Sequence, residues 1–375
     1  MSDTSFDGNI HLEEAAKIIQ QVGDYRKNLN ALVERTIAEA SSDLHLAAGY
    51  RPTLRVTGSL IPLAEAQPLT PEDTAGYLRA LLTDAQIEHF FAHQEVDFSF
   101  SYSDGARFRG NAAFERGKIA IALRLIPNNI RSLDELGLPP ILEEFSKHKQ
   151  GFFLVVGPVG QGKSTTLAAL IELINQSRSE RIVTIEDPIE YMYTPKQSMI
   201  IQREARVDTS DFQSALRAAL RQDVNVILVG EMRGTETIAS GVTAAETGHL
   251  VFSTLHTNNA AQTIDRIIDS FPSGQQDQIR VQLAASLTGI FSQRLVPGVA
   301  GGLVPAYELL INTKAVANLI RERRSHEIDS VIETGSEEGM ISIHQSLAEL
   351  VRRGDITVEN AFQAAGDPKE LERLL

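Results

Sequence analysis

Residues 157–166 read GPVGQGKSTT, and the fold turns on them. Glycines at 157, 160 and 162, followed by Lys163 and Ser164, satisfy G-x-x-x-x-G-K-[ST]. In that pattern backbone amides cradle phosphate and the lysine reaches its outer oxygens. The context agrees: the apolar run Phe152 to Val156 precedes it and a helical stretch starts at Ser164, giving strand, phosphate loop, helix. A nucleotide is the expected ligand, cradled by Gly157, Pro158, Val159, Gly160, Gln161, Gly162, Lys163, Ser164 and Thr165, with Ser164 on Mg²⁺.

Working outward, GFFLVVG, RIVTIED, VNVILVGE and HLVFSTLH are short apolar runs of buried-strand type. STTLAALIELI and DFQSALRAALRQ between them are helical, and such alternation predicts an α/β domain with a parallel sheet and crossover helices. In open parallel sheets ligands collect beyond the carboxyl ends of the strands. VNVILVGE ends there in Glu231, where P-loop enzymes carry a metal-supporting carboxylate. RIVTIEDPIE ends in Glu186, Asp187 and, past Pro188, Glu190. Any one of these acids alone reads equally as a solvated turn residue; acids at two strand ends beside a phosphate loop read as chemistry. GHLVFSTLH brackets its strand with His249 and His256, on opposite faces and, at about 3.3 Å per residue, more than about 20 Å apart. Only His256 is placed to sense a terminal phosphate, and His249 reads as structural.

Upstream, the period changes. Leu12, Ala16, Ile19, Leu29, Leu32, Val33 and Ile37 have helix-face spacing; Asp43 to about Leu60 reads as short strands; Thr70, Pro71 and Asp73 supply the cap, first turn and capping-box acid of a helix running towards Leu82. EVDFSFSY, RFRGNAAF and KIAIALRLI alternate as strands. With Arg116 and Gly117 as a two-residue turn, Phe114, Ala112 and Phe108 oppose Ile119, Ile121 and Leu125, and the apolar faces coincide. The same register sets Arg109 across from Arg124, a like-charge pair that costs stability unless an anion or carboxylate compensates it. Residues 126–140, with turn residues and two closing prolines, read as an interdomain connection.

A chain of 375 residues, 42% hydrophobic, is long enough for two domains. The formal net charge of -14 disfavours a nucleic-acid partner, and the lack of cysteine rules out disulfides and thiolate metal sites. The polar, acidic start MSDTSFDGNI lacks the order of a secretory signal, and no apolar run is long enough for a membrane span. A cytoplasmic location is expected.

Taken together, GPVGQGKSTT, TIEDPIEY, ILVGEMRGTET, AAETGHLVFSTLHTNNA, IDRIIDSFP and SDLHLAAG resemble, in order, the signatures of the hexameric secretion ATPases, and within them the type IV pilus retraction (twitching motility, PilT-like) ATPases. The likeness runs from about residue 40 to the end. It implies a PAS-like α+β domain followed by a RecA-like P-loop ATPase domain, with boundaries expected at 1–38 for a helical extension, 39–128, a 129–140 linker and 141–375. It further implies ATP and Mg²⁺ as ligands, a homohexamer, and docking at the pilus base on an inner-membrane platform protein, with a paralogous retraction ATPase as a further partner. By the same likeness Lys163 and Ser164 act on phosphate and Mg²⁺, Glu190 activates the attacking water, Glu231 supports the metal, His256 senses phosphate, and Arg109 and Arg124 reach a nucleotide site. Val159 and Gln161 stand where the family more often has Thr and Ser. Assembly and type II secretion ATPases of the superfamily usually add an N-terminal domain and a four-cysteine zinc site, so the absence of cysteine favours retraction, with an accessory retraction motor as an alternative. A non-hydrolysing nucleotide-gated scaffold is opposed by the presence of Glu190 and Glu231, and a DNA motor by the acidic charge.

Overall fold

A computed structural model describes residues 25–56, 58–102, 106–127 and 129–375. The chain divides into two units, the first ending at Asn128 and the second starting at Asn129.

The first unit is built on a six-stranded antiparallel sheet ordered β3-β2-β1-β6-β5-β4, with β1 Asp43–Ala47, β2 Thr53–Val56, β3 Ser59–Pro62, β4 Glu95–Ser101, β5 Arg107–Glu115 and β6 Lys118–Ile126. Helices Pro71–Leu81 and Asp84–His93 join its two halves. The first starts as expected: Thr70 accepts from the Asp73 N–H and Asp73 accepts from the Thr70 N–H. The β5–β6 hairpin turns at Arg116 and Gly117, both left-handed, and pairs Phe108 with Leu125, Ala112 with Ile121 and Phe114 with Ile119, the expected register. One face of the sheet buries Leu44, Leu46, Phe98, Phe108 and Leu123 against these helices and against helix Tyr25–Ala38, whose Leu29 and Val33 join the same core. Ile37, expected inward, is exposed, because Thr36 takes the buried position one residue earlier and returns its hydroxyl proton to Leu32 O. Leu12, Ala16 and Ile19 lie outside the described residues.

The second unit carries a seven-stranded sheet ordered β13-β12-β7-β11-β10-β8-β9. Its strands are β7 Gly151–Val156, β8 Arg181–Glu186, β9 Met199–Glu204, β10 Val226–Val229, β11 Leu250–Leu255, β12 Leu287–Pro297 and β13 Leu303–Ile311. All neighbours are parallel except β12 and β13, so the sheet is mixed rather than wholly parallel. Alternate residues of β7 enter opposite cores: Phe152, Leu154 and Val156 on one face, Phe153 and Val155 on the other. Burial on both faces explains why the central strands read as unbroken apolar runs. Helix Lys163–Ser177 covers the second face with Leu167, Leu170, Ile171 and Ile174. Helices Phe212–Ala219, Thr235–Glu246, Ala260–Asp269 and Ser273–Ser286 contribute to the first. Residues 129–140 pack on this unit from their start, with Leu133 and Leu138 buried in its core. At the chain end, helices Ile343–Arg353, Val358–Ala364 and Pro368–Leu374 form a small cluster with Val296 of β12 and Ala306 of β13.

Candidate active site

The strand order brings the carboxyl ends of β7, β11, β10 and β8 side by side, and the residues just past each end form the site. After β7 the chain enters the phosphate loop with Gly157 at φ 142°, and Gly160 and Gly162 at 78°. Gly157 has two reasons to lack a side chain: this backbone favours glycine, and a Cβ would stand 2.4 Å from Gln293 O of β12. Helix Lys163–Ser177 begins at Gly162 with no side-chain cap and no acid in its first turn, so its positive end is presented to the loop.

Lys163 is buried beneath the loop, where its ammonium donates to Gly157 O (2.9 Å) and Pro158 O (2.7 Å) and approaches His256 Nδ1 (3.4 Å). Burial pulls this ammonium below the ordinary lysine range, while the carboxylates of Glu190 and Glu231 draw it back. His256, one residue past β11, faces Glu231 with 3.6 Å between Nε2 and Oε2. Glu231, two residues past β10, also receives Arg233 Nη2 at 2.6 Å, and that arginine is largely exposed. Lys163, His256 and Glu231 are thus joined in one cluster from three separate strand ends. Glu190 stands exposed on the loop after β8, with Ile189 beside it buried. The half-buried Ser164 and Thr165 open the helix, and the Thr165 hydroxyl pairs with the Tyr191 hydroxyl at 2.8 Å. His249, at the other end of β11, has Nδ1 3.0 Å from Ala244 O, apart from this cluster.

Several supports of the site come from distant sequence. The Thr166 hydroxyl donates to Gln293 Oε1 (2.6 Å), and Gln161 Oε1 accepts the Leu295 N–H (2.6 Å), so β12 holds the loop at two points. Gln161 therefore has a local function as the departure from the family pattern: it ties the loop tip to the neighbouring strand. Ser292 on β12 donates to Asn258 O (2.9 Å), and its partner across the hairpin, Glu308 on β13, accepts the Ala260 N–H (2.8 Å). Together they hold the turn following His256. Burial pushes Glu308 up to about 7, with the Asp329 charge adding to the rise and the Ala260 N–H and Arg294 working against it. Glu186, buried at the end of β8, is likewise pushed up to about 7 by burial, against hydrogen bonds from Thr184, the Glu190 N–H and Gln202. No sequence period marks Gln161, Gln202, Gln293, Ser292 or Glu308, because each acts through a partner brought near by the sheet order.

Arg109 and Arg124 lie in the first unit, directly paired across β5 and β6. The carboxylate that offsets their repulsion is Asp43, paired with Arg124 across β1 and β6, whose Oδ1 accepts from Arg124 Nε at 2.8 Å. Asp43 also pairs in register with Arg55 of β2, so Arg55, Asp43, Arg124 and Arg109 form one row across four strands.

The residue set of the second unit fits a nucleotide and Mg²⁺: an open glycine loop and an uncapped helix start with Ser164 in its first turn, and a lysine ammonium linked through His256 to a carboxylate. Among the described residues no group of three or more His, Cys, Asp or Glu could hold a metal by itself.

Comparison with known proteins agrees. The family model described as type II/IV secretion system protein matches residues 114–302. The chain is 41% identical to the type IV pilus retraction ATPase PilT of Pseudomonas aeruginosa, covering 91% of this chain and 99% of that one. It is 43% identical to the uncharacterized protein YggR of Escherichia coli, over 87% of this chain and 99% of that protein. A crystal structure of the pilus retraction motor PilT with bound ADP superposes with a TM-score of 0.87 at 46% identity, covering 92% of this chain and 98% of that one. The chain belongs to the type II/IV secretion system protein family, as a PilT-like P-loop ATPase.

Proposed function

We propose that this chain is the ATP-hydrolysing subunit of a hexameric motor that powers type IV pilus retraction. The observation that carries the reading is the convergence of Lys163, His256 and Glu231 at 3.4 and 3.6 Å, beside a loop bearing Glu190, in a chain similar to PilT over nearly its full length. The strand order β12-β7-β11-β10-β8 supports a RecA-like assignment of the second unit. The order β2-β1-β6-β5-β4, with helices inserted between β3 and β4, supports a PAS-like assignment of the first.

In this reading the phosphate loop and the helix start bind the nucleotide phosphates through backbone N–H groups, and the Lys163 ammonium turns from the loop carbonyls to the outer phosphates. Mg²⁺, held through Ser164 and supported by Glu231, supplies neutralisation of phosphate charge when bound. Glu231 exchanges its exposed Arg233 partner cheaply, since such ion pairs are worth about 1 kcal/mol or less. Glu190 orients water for in-line attack and takes its proton, and His256 registers the terminal phosphate from its place between Lys163 and Glu231. Arg109 and Arg124 supply phosphate-directed charge in the assembled ring. Among the described residues no helix is long and apolar enough to cross a membrane. In the proposed reading the motor acts on the pilus through an inner-membrane platform partner, as a peripheral protein at the cytoplasmic side of the pilus base.

Deletion of the gene in its host tests the use of the motor. Excess surface pili by electron microscopy, with lost twitching, is the expected result. Bald cells would mean that it drives assembly. For the chemistry, Glu190→Gln is expected to bind ATP and lose at least about 100-fold in turnover; undiminished turnover would remove Glu190 from its role.

A further inference from the structure

Glu190 stands on a stretch with neither helix nor strand, so the backbone there has to find its hydrogen bonds elsewhere. Within residues 189–193 four backbone groups are held by three side chains. The Ile189 N–H donates to Glu204 Oε2 (3.4 Å), and the Glu190 N–H to Glu186 Oε2 (3.3 Å). The Tyr193 N–H donates to Gln202 Oε1 (3.0 Å), and Gln202 Nε2 donates to Tyr191 O (2.8 Å). Gln202 and Glu204 sit two apart on the edge strand β9 and so share a face, the one turned to this loop. Gln202 Nε2 also reaches Glu186 Oε1 at 3.5 Å, and the Thr184 hydroxyl donates to the same oxygen at 2.6 Å. From the other side Tyr191 meets Thr165 in the first turn of the phosphate-loop helix. The Glu190 side chain is exposed while the backbone around it is pinned, between Ile189 at 2% and Tyr193 at 9% exposed.

We propose that Gln202 is a positioning residue for ATP hydrolysis: its amide, with Glu186 on the Glu190 N–H, fixes where the Glu190 carboxylate stands relative to the phosphate loop. This rests on the reading of Glu190 as the group that orients the attacking water. Gln202 touches neither the phosphate loop nor the Lys163 cluster; its effect passes through the backbone of Tyr191 and Tyr193. Pairing of β9 with β8 is by backbone, through all six register positions from Arg181 with Met199 to Glu186 with Glu204, so it survives loss of one side-chain amide. What is lost is the hold on the loop, and misplacing a catalytic group by about 1 Å costs on the order of 100-fold in rate.

The test uses the full chain with Gln202→Met, which keeps the length of the side chain and removes its two hydrogen bonds to the loop backbone and the third, to Glu186, and Gln202→Ala beside it. Steady-state hydrolysis, ADP binding and melting temperature are measured on each, alone and combined with Glu190→Gln. The expected result is a kcat at least tenfold lower for both variants, with KM for ATP and the ADP Kd within about twofold of the parent protein. In the Glu190→Gln background, Gln202→Met adds less than twofold further loss, because the group it positions is already gone. Parent-like kcat in Gln202→Met would overturn the proposal. So would a loss of ADP affinity matching the loss of kcat, or a full multiplicative loss on top of Glu190→Gln, since either marks general damage to the unit. If Glu190→Gln by itself turns over normally, the reading of Glu190 has failed and the proposal falls with it, a result distinct from the others because that variant is assayed alone.

Discussion

Glu308→Gln should flatten the decline in stability of the second unit between pH 5 and 8. Glu308 lies within the β12–β13 hairpin, 6% exposed, with Oε1 taking the Ala260 N–H at 2.8 Å. Its carboxyl is pushed from 4.5 up to about 7 by burial. A folded-state value above the unfolded one means that the folded protein holds the proton more tightly. The contribution is fully present below about pH 4.5 and is lost as pH rises through about 7. Over pH 5 to 8 the linkage integral for such a shift amounts to about 2–3 kcal/mol. Glutamine keeps an oxygen for the Ala260 N–H and carries no proton to lose. For a unit of this size about 1 kcal/mol moves the melting temperature by about 2–4 °C, so the gap between variant and parent should widen by roughly 5–10 °C from pH 5 to pH 8. Differential scanning fluorimetry without nucleotide, at fixed ionic strength, reads this directly. Parallel melting curves for the two proteins across that range would refute the reasoning, showing that Glu308 is either hydrated or paired when ionised.

Three further outcomes are accessible with the same preparations. Gly157→Ala places a Cβ 2.4 Å from Gln293 O at a φ of 142°, and should abolish ATP binding by isothermal calorimetry while the first unit stays folded; intact affinity would mean that β12 yields without cost. Asp43→Asn removes the carboxylate between Arg124 and Arg55, so the variant should lose about 1 kcal/mol or more in low salt and recover part of it in high salt, by denaturant titration; salt-independent loss would point to packing instead. Thr70→Ala breaks the capping box of helix Pro71–Leu81 and should cost about 1 kcal/mol, with no change in ATP turnover.

What could be read in advance followed from local periods. The β5–β6 register is legible because only one parity brings Phe108, Ala112 and Phe114 opposite apolar partners, and that parity sets Arg109 against Arg124. The phosphate loop, Glu231 and His256 were legible because parallel strands deliver their carboxyl ends to one edge. By contrast β9, at the sheet edge and half-buried over most of its length, has no clean alternation, and β12–β13 bring an antiparallel hairpin into an otherwise parallel sheet. The side chains those strands supply, Gln202, Gln293 and Glu308, depend on contacts 9, 127 and 48 residues away in the chain, and no local pattern reports such a partner.

The hold of β12 on the phosphate loop also orders events in time. Gln293 O closes against Gly157, its side chain accepts the Thr166 hydroxyl, and the Leu295 N–H donates to Gln161 Oε1, yet the loop is made more than a hundred residues earlier on the ribosome. The nascent chain carries the complete G-x-x-x-x-G-K-S signature long before the strand that shapes it exists. Phosphate affinity is thereby delayed until the hairpin has emerged and docked beside β7, so a stalled or clipped chain that ends before residue 293 has the motif without the cradle.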